Sequence, residues 1–257
     1  MAAGGRTIAG SVAVAGVAGF LLITASSASP SAAGSLNLHA TLGTFSPAAA
    51  CPPETPSGAD CHPRTGSGSV PGLGGVVAKY TWFFGTGDCP STLVKPLATT
   101  GRFVVANKGA IDFALADGAR CVEQEPVRNE PQAFTITGGT GAYQGASGSG
   151  TVERSLSGGF GVERWTATLT VPGLEFDTSP PAIIGVVSKT VRAPTSARRA
   201  RVTYKVTARD AVDGAVAATC RPRSGSFFKV GRTVVTCTAS DTSGNNRAAR
   251  FVITVRR

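Results

Sequence analysis

Short runs in which apolar and polar residues alternate, separated by glycine, constrain the fold of this chain more than any other feature of its sequence. Apolar side chains that recur at every second position lie on one face of a β-strand. Two sets show the pattern most clearly: Ile111, Phe113 and Leu115, and then Trp165, Ala167, Leu169 and Val171. The chain also has 33 glycines, and no long apolar run of helical period follows its N-terminal region. The sequence therefore predicts an all-β protein.

The middle of the chain, residues 76–175, contains six candidate strands. They are Val76–Phe84, Gly101–Ala106, Ala110–Ala116, Ala133–Thr137, Ser149–Arg154 and Val162–Val171. Because no helical crossover separates them, we expect antiparallel pairing in a β-barrel or a β-sandwich. The segment Glu175–Pro181 (EFDTSPP) marks a domain boundary, since its tandem prolines fix φ and lack N–H donors.

The N-terminal residues 1–28 have the pattern of a signal peptide. Arg6 precedes the uncharged run Thr7–Thr24, and small residues follow it. A membrane anchor is the alternative, but the run is rich in Gly, Ala and Ser and no basic cluster follows, so cleavage is favoured. Residues 29–75 are rich in Pro, Gly and Ser and are expected to be irregular. We therefore expect a secreted or cell-wall-associated protein, and the richness in Ala, Gly and Arg indicates a bacterial source.

Six cysteines suit an oxidising compartment, where disulfides are favoured over a zinc site. Cys220 and Cys237 share the inward phase of their strands, so they can form a bridge worth about 3 kcal/mol on the chain-entropy model. For the remaining four we expect the pairs Cys51–Cys61 and Cys89–Cys121. Four cysteines allow three connectivities, and the other two stay open.

A glycine-rich segment, residues 134–153 (FTITGGTGAYQGASGSGTVE), is typical of a tight strand reversal. Tyr143 is the bulky side chain that can hold the turn. The segment resembles the hairpin that joins two strands in the allene oxide cyclase and dirigent-like β-barrels. That resemblance implies a barrel whose lumen holds a small apolar ligand or supports cyclase-type chemistry, which is the alternative hypothesis for function.

The last third of the chain carries a more specific motif. After DTSPP at Asp177, the segment Cys220–Asn245 follows the order C-x-P-x-S-G-x-x-F-x-V-G-x-T-x-V-x-C-x-A-x-D-x-x-G-N, and a closing FVITV strand ends at Val255. Residues 177–257 resemble the hyalin repeat (HYR), an extracellular immunoglobulin-like module associated with adhesion. The fold expected for residues 176–257 is therefore an immunoglobulin-like β-sandwich that follows the antiparallel barrel or sandwich.

Positive charge is concentrated in this last domain. Up to Glu175 the chain has 10 Lys and Arg against 11 Asp and Glu, whereas from Phe176 onward it has 15 against 4. A basic surface outside the cell attracts acidic polymers through steering and counterion release. The candidate polyanion-binding residues are Arg198, Arg199, Arg201, Arg209, Arg221, Arg223, Lys229 and Arg232. The expected partner is an acidic cell-surface polymer, a glycan or a protein, and not a specific nucleic acid.

No catalytic site, cofactor or metal site is expected. The two histidines, His39 and His62, fall in the segment expected to be irregular, and no G-x-S-x-G motif is present. The carboxylates of the middle domain are interpreted as a solvated face: Asp112, Asp117, Glu123, Glu125, Glu130, Glu153 and Glu163. Asp210, Asp213 and Asp241 could surround calcium, but Asp-Gly and Asp-x-x-Gly also form ordinary turns, which we favour. The sequence thus predicts a non-enzymatic extracellular binding or adhesion protein.

Overall fold

A computed structural model describes residues 34–47, 49–123 and 127–257, and residues 127–130 are described by their backbone alone. The signal peptide expected at residues 1–28 lies outside the described residues. Within the described ranges the regular elements are all β-strands. No helix in those ranges is long and apolar enough to cross a membrane.

Nine strands form the first sheet, and eight of them close into an antiparallel barrel. The strands are β1 (Ser35–Phe45), β2 (Asp60–Val70), β3 (Gly74–Gly85), β4 (Lys95–Pro96), β5 (Thr99–Val105), β6 (Gly109–Leu115), β7 (Val127–Gly141), β8 (Ser147–Ser157) and β9 (Phe160–Thr170). The order is β2-β1-β9-β8-β7-β6-β5-β3, and the pairing of β2 with β3 closes the ring. The short β4 pairs only with β3, at the rim. The predicted all-β class with an antiparallel barrel is thereby confirmed.

The prediction that residues 29–75 are irregular is wrong, since β1 and β2 lie in this segment. In β1, Leu36, Leu38, Ala40 and Leu42 alternate with polar residues and point into the barrel. β2 has few apolar side chains, but it pairs over its whole length with β3, and its middle residues pair with the end of β1. Its strand conformation therefore comes from backbone hydrogen bonds to its neighbours more than from its own pattern.

The predicted glycine-rich hairpin joins β7 to β8. Its turn, residues 142–146, is held by Tyr143, whose side chain is 1 % exposed. Gly148 has φ of 148°, and a Cβ there would lie 1.9 Å from the carbonyl oxygen of Thr168 on β9. Only glycine permits this close approach of the strands.

The C-terminal domain has three small sheets around a second core. Its strands are β10 (Ala182–Ile184), β11 (Lys189–Arg192), β12 (Arg199–Arg201), β13 (Thr207–Asp210), β14 (Gly214–Val216), β15 (Ala218–Arg221), β16 (Phe227–Lys229), β17 (Gly231–Ser240) and β18 (Asn246–Arg256). The largest sheet has the order β11-β18-β17-β15. Its inner face contributes Val235, Phe251, Ile253 and Val255 to the core, as the alternation predicts.

Three disulfides fasten the described structure: Cys51–Cys61, Cys89–Cys121 and Cys220–Cys237. The first two are in the barrel domain, where Cys61 lies on β2 and the other three cysteines lie in connections between strands. Cys220 and Cys237 lie directly opposite each other on β15 and β17. The pairs are those expected from the sequence.

Candidate functional site

Aromatic side chains fill the barrel interior. Trp165 is fully buried. The centroid of its ring lies 4.9, 5.0 and 5.1 Å from the ring centroids of Phe103, Phe113 and Phe134, respectively. Such edge-to-face and tilted contacts occupy the lumen with protein atoms. This packing argues against the alternative hypothesis that the lumen holds a small apolar ligand or supports cyclase-type chemistry.

A layer of buried polar side chains crosses the same interior. Glu163 is fully buried, and its Oε1 accepts a hydrogen bond from the Tyr80 hydroxyl at 2.6 Å while its Oε2 accepts one from Trp165 Nε1 at 3.1 Å. Nε of Arg154 and Nε of Arg64 lie 3.8 and 3.9 Å from Oε1. Both carboxylate oxygens are therefore engaged, and we assign the layer a structural role.

Arg154 also belongs to this layer of polar side chains and is 1 % exposed. It donates to the Tyr80 hydroxyl at 3.0 Å and to Gln132 Oε1 at 2.8 Å, and its guanidinium carbon lies 4.6 Å from the centre of the Trp82 ring. Two buried guanidinium groups thus share one carboxylate. The expectation that Glu163 belongs to a solvated face is wrong, because it shares the inward phase of β9 with Trp165. Glu153, in contrast, is exposed on β8.

Two tyrosine side chains in the barrel, Tyr80 and Tyr143, have raised pKa values. Burial raises the pKa of Tyr80 above its usual 10.0, and Glu163 adds to the increase while the charge of Arg154 opposes it. Burial alone raises the pKa of Tyr143 to about 12. Both phenols therefore stay neutral in the folded protein at pH values where an unfolded chain would ionise them.

This difference predicts a loss of stability in alkali. The stabilisation is fully present below pH 10 and declines as pH rises through the range between the unfolded and folded pKa values, by at most about 1.4 kcal/mol per pH unit for each phenol. Urea unfolding, followed by tryptophan fluorescence, should show a decrease of about 1–3 kcal/mol in the free energy of unfolding between pH 9 and 11. Tyr143→Phe should make the decline shallower. An unfolding free energy that stays constant over this range would contradict the prediction.

The two histidines lie on strands of the barrel and not in irregular chain. His39 is exposed on the outer face of β1, and the ring of His62 on β2 packs edge-on against Phe84 with centroids 5.4 Å apart. Asp112 forms an exposed ion pair with Arg102, at 2.7 Å. Glu125 and Glu130 are outside the described side chains. These placements give ordinary structural roles to His62 and Asp112.

The structure distributes the eight predicted polyanion-binding residues over several surfaces of the C-terminal domain. Arg198, Arg199 and Lys229 come together with Arg257 around one groove, of about 500 Å³, beside Val230. Arg223 lines a different groove with Tyr204 and Lys205. Arg201 donates to the carbonyl oxygen of Gly225, and Arg209 lies on the sheet formed by β10, β13 and β14. The eight residues therefore do not form one patch.

Arg221 and Arg232 belong to a larger basic surface that the sequence did not reveal. The register of β15, β17 and β18 places Thr236 between Arg221 and Arg250, and it places Arg232 opposite Thr254. At the edge of the sheet, Arg192 on β11 pairs with Arg256 on β18. All five arginines are exposed on the outer face of the β11-β18-β17-β15 sheet. We call this surface the arginine face, defined by Arg192, Arg221, Arg232, Arg250 and Arg256. The alternation in β18, where Arg250, Thr254 and Arg256 share the outward phase, is the signal that could have found it.

The four aspartates of the C-terminal domain lie together at the end of the domain that is next to the barrel. Asp213 accepts hydrogen bonds from the N–H and hydroxyl of Thr242 at 2.7–2.9 Å. The carbonyl oxygen of Thr242 is so close to the barrel residue Gly74 that a Cβ there would lie 2.5 Å from it. In residues 176–257, which the structure describes in full, no Lys or Arg lies within 4.0 Å of a carboxylate.

The remaining three carboxylates converge near this contact. Oxygens of Asp177, Asp210 and Asp241 all lie within 4.8 Å of one another. At an effective dielectric constant of about 20, two unit charges at that distance repel by about 3 kcal/mol. The N–H groups of Asp213 and Val212 nevertheless hold the pKa of Asp210 below its usual value, which favours its charged form. Of the three aspartates considered in the sequence, Asp210 and Asp241 are in the cluster, Asp213 is not, and Asp177 was missed.

Comparison with known proteins identifies the C-terminal domain. Residues 176–255 match the family model of the HYR domain, which confirms the resemblance stated for this region. Neither the curated proteins nor the solved structures gave a match. The resemblance of residues 134–153 to allene oxide cyclase and dirigent-like barrels is not shown. An extracellular adhesion-type domain together with three disulfides indicates an extracellular protein.

Proposed function

We propose, from the premise that residues 176–255 form an HYR domain, that this chain is a non-enzymatic extracellular binding protein. Its C-terminal domain attaches to an acidic polymer of a cell surface, and the protein acts in secreted or wall-associated form. The observation that carries the proposal is the uneven distribution of charge within the domain. Fifteen Lys and Arg are present, while all four carboxylates are gathered at the end beside the barrel.

The arginine face is the surface that best fits this role. Its five arginines extend across four paired strands, so they present charge at several points to an extended polymer. Threonine hydroxyls between them supply further donors, with Thr236 between Arg221 and Arg250. Guanidinium groups bind sulfate, phosphate and carboxylate in a bidentate geometry, which a flexible ammonium group does not provide.

Two variants of equal net charge test this surface in the full chain. The first is Arg221→Gln with Arg232→Gln and Arg250→Gln; the second is Arg198→Gln with Arg199→Gln and Lys229→Gln. All six side chains are exposed, so folding should be unaffected. Binding to heparin oligosaccharides is measured by calorimetry at several NaCl concentrations. We expect the first variant to bind about tenfold more weakly, with a salt slope reduced by about 2–3, and the second to change by less than about threefold.

The matched variants separate a specific surface from bulk charge. An equal loss in both would mean that net charge alone drives binding, and it would refute the assignment to the arginine face. Unchanged binding in both variants, or no heparin binding by the native chain, would overturn the proposed function itself.

A further inference from the structure

The three clustered carboxylates have the dimensions of a cation site. Oxygens of Asp177, Asp210 and Asp241 lie within 4.8 Å of one another. Calcium binds oxygen ligands at roughly 2.3–2.6 Å, so two ligands on opposite sides of one ion are about 5 Å apart. One Ca²⁺ would therefore fit within the triangle of oxygens after small adjustments of the side chains.

One buried oxygen of these three carboxylates has no hydrogen-bond donor among the described residues. Oδ2 of Asp177 is buried and has no partner. Asp210 is 4 % exposed, and its Oδ1 accepts hydrogen bonds from the N–H groups of Val212 and Asp213. Buried carboxylate oxygens are normally satisfied by donors or by metal ions. The unsatisfied oxygen of Asp177 therefore indicates that a positive partner belongs here.

The surrounding residues hold the cluster in place without neutralising it. Asn245 donates from its backbone N–H to Oδ1 of Asp241 and from Nδ2 to Oδ2, both at distances below 3.0 Å, and its Nδ2 also reaches the carbonyl oxygen of Asp177. Asn245 is itself buried. Outer residues that orient carboxylate ligands in this way are a regular part of metal sites.

We propose that Asp177, Asp210 and Asp241 bind one calcium ion at the joint between the two domains. Asp177 comes from the segment that leaves the barrel, Asp210 from the end of β13, and Asp241 from the β17–β18 turn. The next residue of that turn, Thr242, contacts the barrel at Gly74. A bound ion therefore fixes the connecting segment to the end of the C-terminal domain. Charged oxygen ligands of this kind suit Ca²⁺ better than Mg²⁺, which requires octahedral geometry and retains several waters.

The test uses the full chain, freed of metal with EGTA and then titrated with CaCl₂. Calorimetry should show one ion bound per chain, with a dissociation constant of about 10⁻⁴–10⁻³ M, typical of extracellular modules. The melting temperature of the C-terminal domain, followed by circular dichroism, should rise by a few degrees in 5 mM CaCl₂. Asp177→Asn, which keeps an oxygen for the N–H of Ser179, should bind at least about tenfold more weakly.

The matched control is Asp213→Asn, which removes a carboxylate from the same end but outside the cluster and should retain calcium binding. In EGTA, the Asp177→Asn variant should melt at the same temperature as the native chain or higher, because the substitution reduces the repulsion between the clustered carboxylates. A loss of calcium binding is thereby distinguished from misfolding. No calcium binding by the native chain, equal binding by Asp177→Asn, or the same stabilisation from NaCl at equal ionic strength would each overturn the proposal. None of these outcomes depends on heparin binding at the arginine face.

Discussion

Glu163→Gln should destabilise the barrel by about 3–5 kcal/mol, because it leaves two buried guanidinium groups without a counter-charge. Glu163 is fully buried, and Arg64 and Arg154 have no other carboxylate within 4.0 Å among the described residues. Nε of Arg64 and Nη2 of Arg154 already lack hydrogen-bond partners, so the structure has no spare acceptor to compensate for the change. The free energy of unfolding in urea is the quantity to measure.

Tryptophan fluorescence reports this loss from the barrel alone, because both tryptophans of the chain, Trp82 and Trp165, lie in the barrel core. The matched control is Glu153→Gln, on the exposed face of the neighbouring strand, which should change stability by less than about 0.5 kcal/mol. A double variant with Arg154→Met should lose less than the sum of the two single losses, since the two groups interact directly. A loss below about 1 kcal/mol in Glu163→Gln would contradict the buried ion layer.

Trp165→Ala should also destabilise the barrel by about 3–5 kcal/mol, for a different reason. The substitution removes the ring that packs against Phe103, Phe113 and Phe134, and it removes the donor to Oε2 of Glu163. A closed barrel cannot readily collapse around such a cavity, because its wall is held by backbone hydrogen bonds on every side.

The remaining fluorophore, Trp82, permits the same urea experiment on this variant. Phe160→Ala is the control, since it removes an aromatic ring from the same strand that is 68 % exposed, and it should have a small effect. Trp165→Phe should cost less than Trp165→Ala because most of the ring contacts remain. Equal stability of Trp165→Ala and the native chain would mean that the interior is not packed as described.

Much of the barrel could be predicted from local pattern, but its closure could not. β3, β5, β6, β8 and β9 alternate clearly, whereas β2 carries only Val70 as a bulky apolar side chain. Closure also requires β1 to pair with β9, which is more than a hundred residues away in sequence. Local alternation identifies which face of a strand is buried, but it does not identify the partner of that strand.

For the functional residues too, features that depend on local sequence were predictable, and features that depend on strand pairing were not. The C-terminal domain was predictable because its motif extends over the whole domain, and the eight basic residues were visible in the sequence. Their separation onto different surfaces was not, because it depends on register between β15, β17 and β18. Glu163 and Arg154 could have been predicted as buried, since each shares its strand phase with large apolar residues; Val152 and Leu156 flank Arg154 at that spacing. For these two residues, the strand phase and not the charge of the side chain decides whether the side chain is buried.

The uneven distribution of charge within the C-terminal domain also gives it an electric dipole. Its negative pole is the aspartate end that meets the barrel at Gly74, and its positive pole lies toward the arginine-bearing faces. Near a negatively charged surface such a dipole experiences a torque as well as an attraction, within roughly one Debye length of about 8 Å at physiological salt. The domain would therefore be rotated before contact, so that its arginines meet the surface first and the barrel is carried on the side away from it.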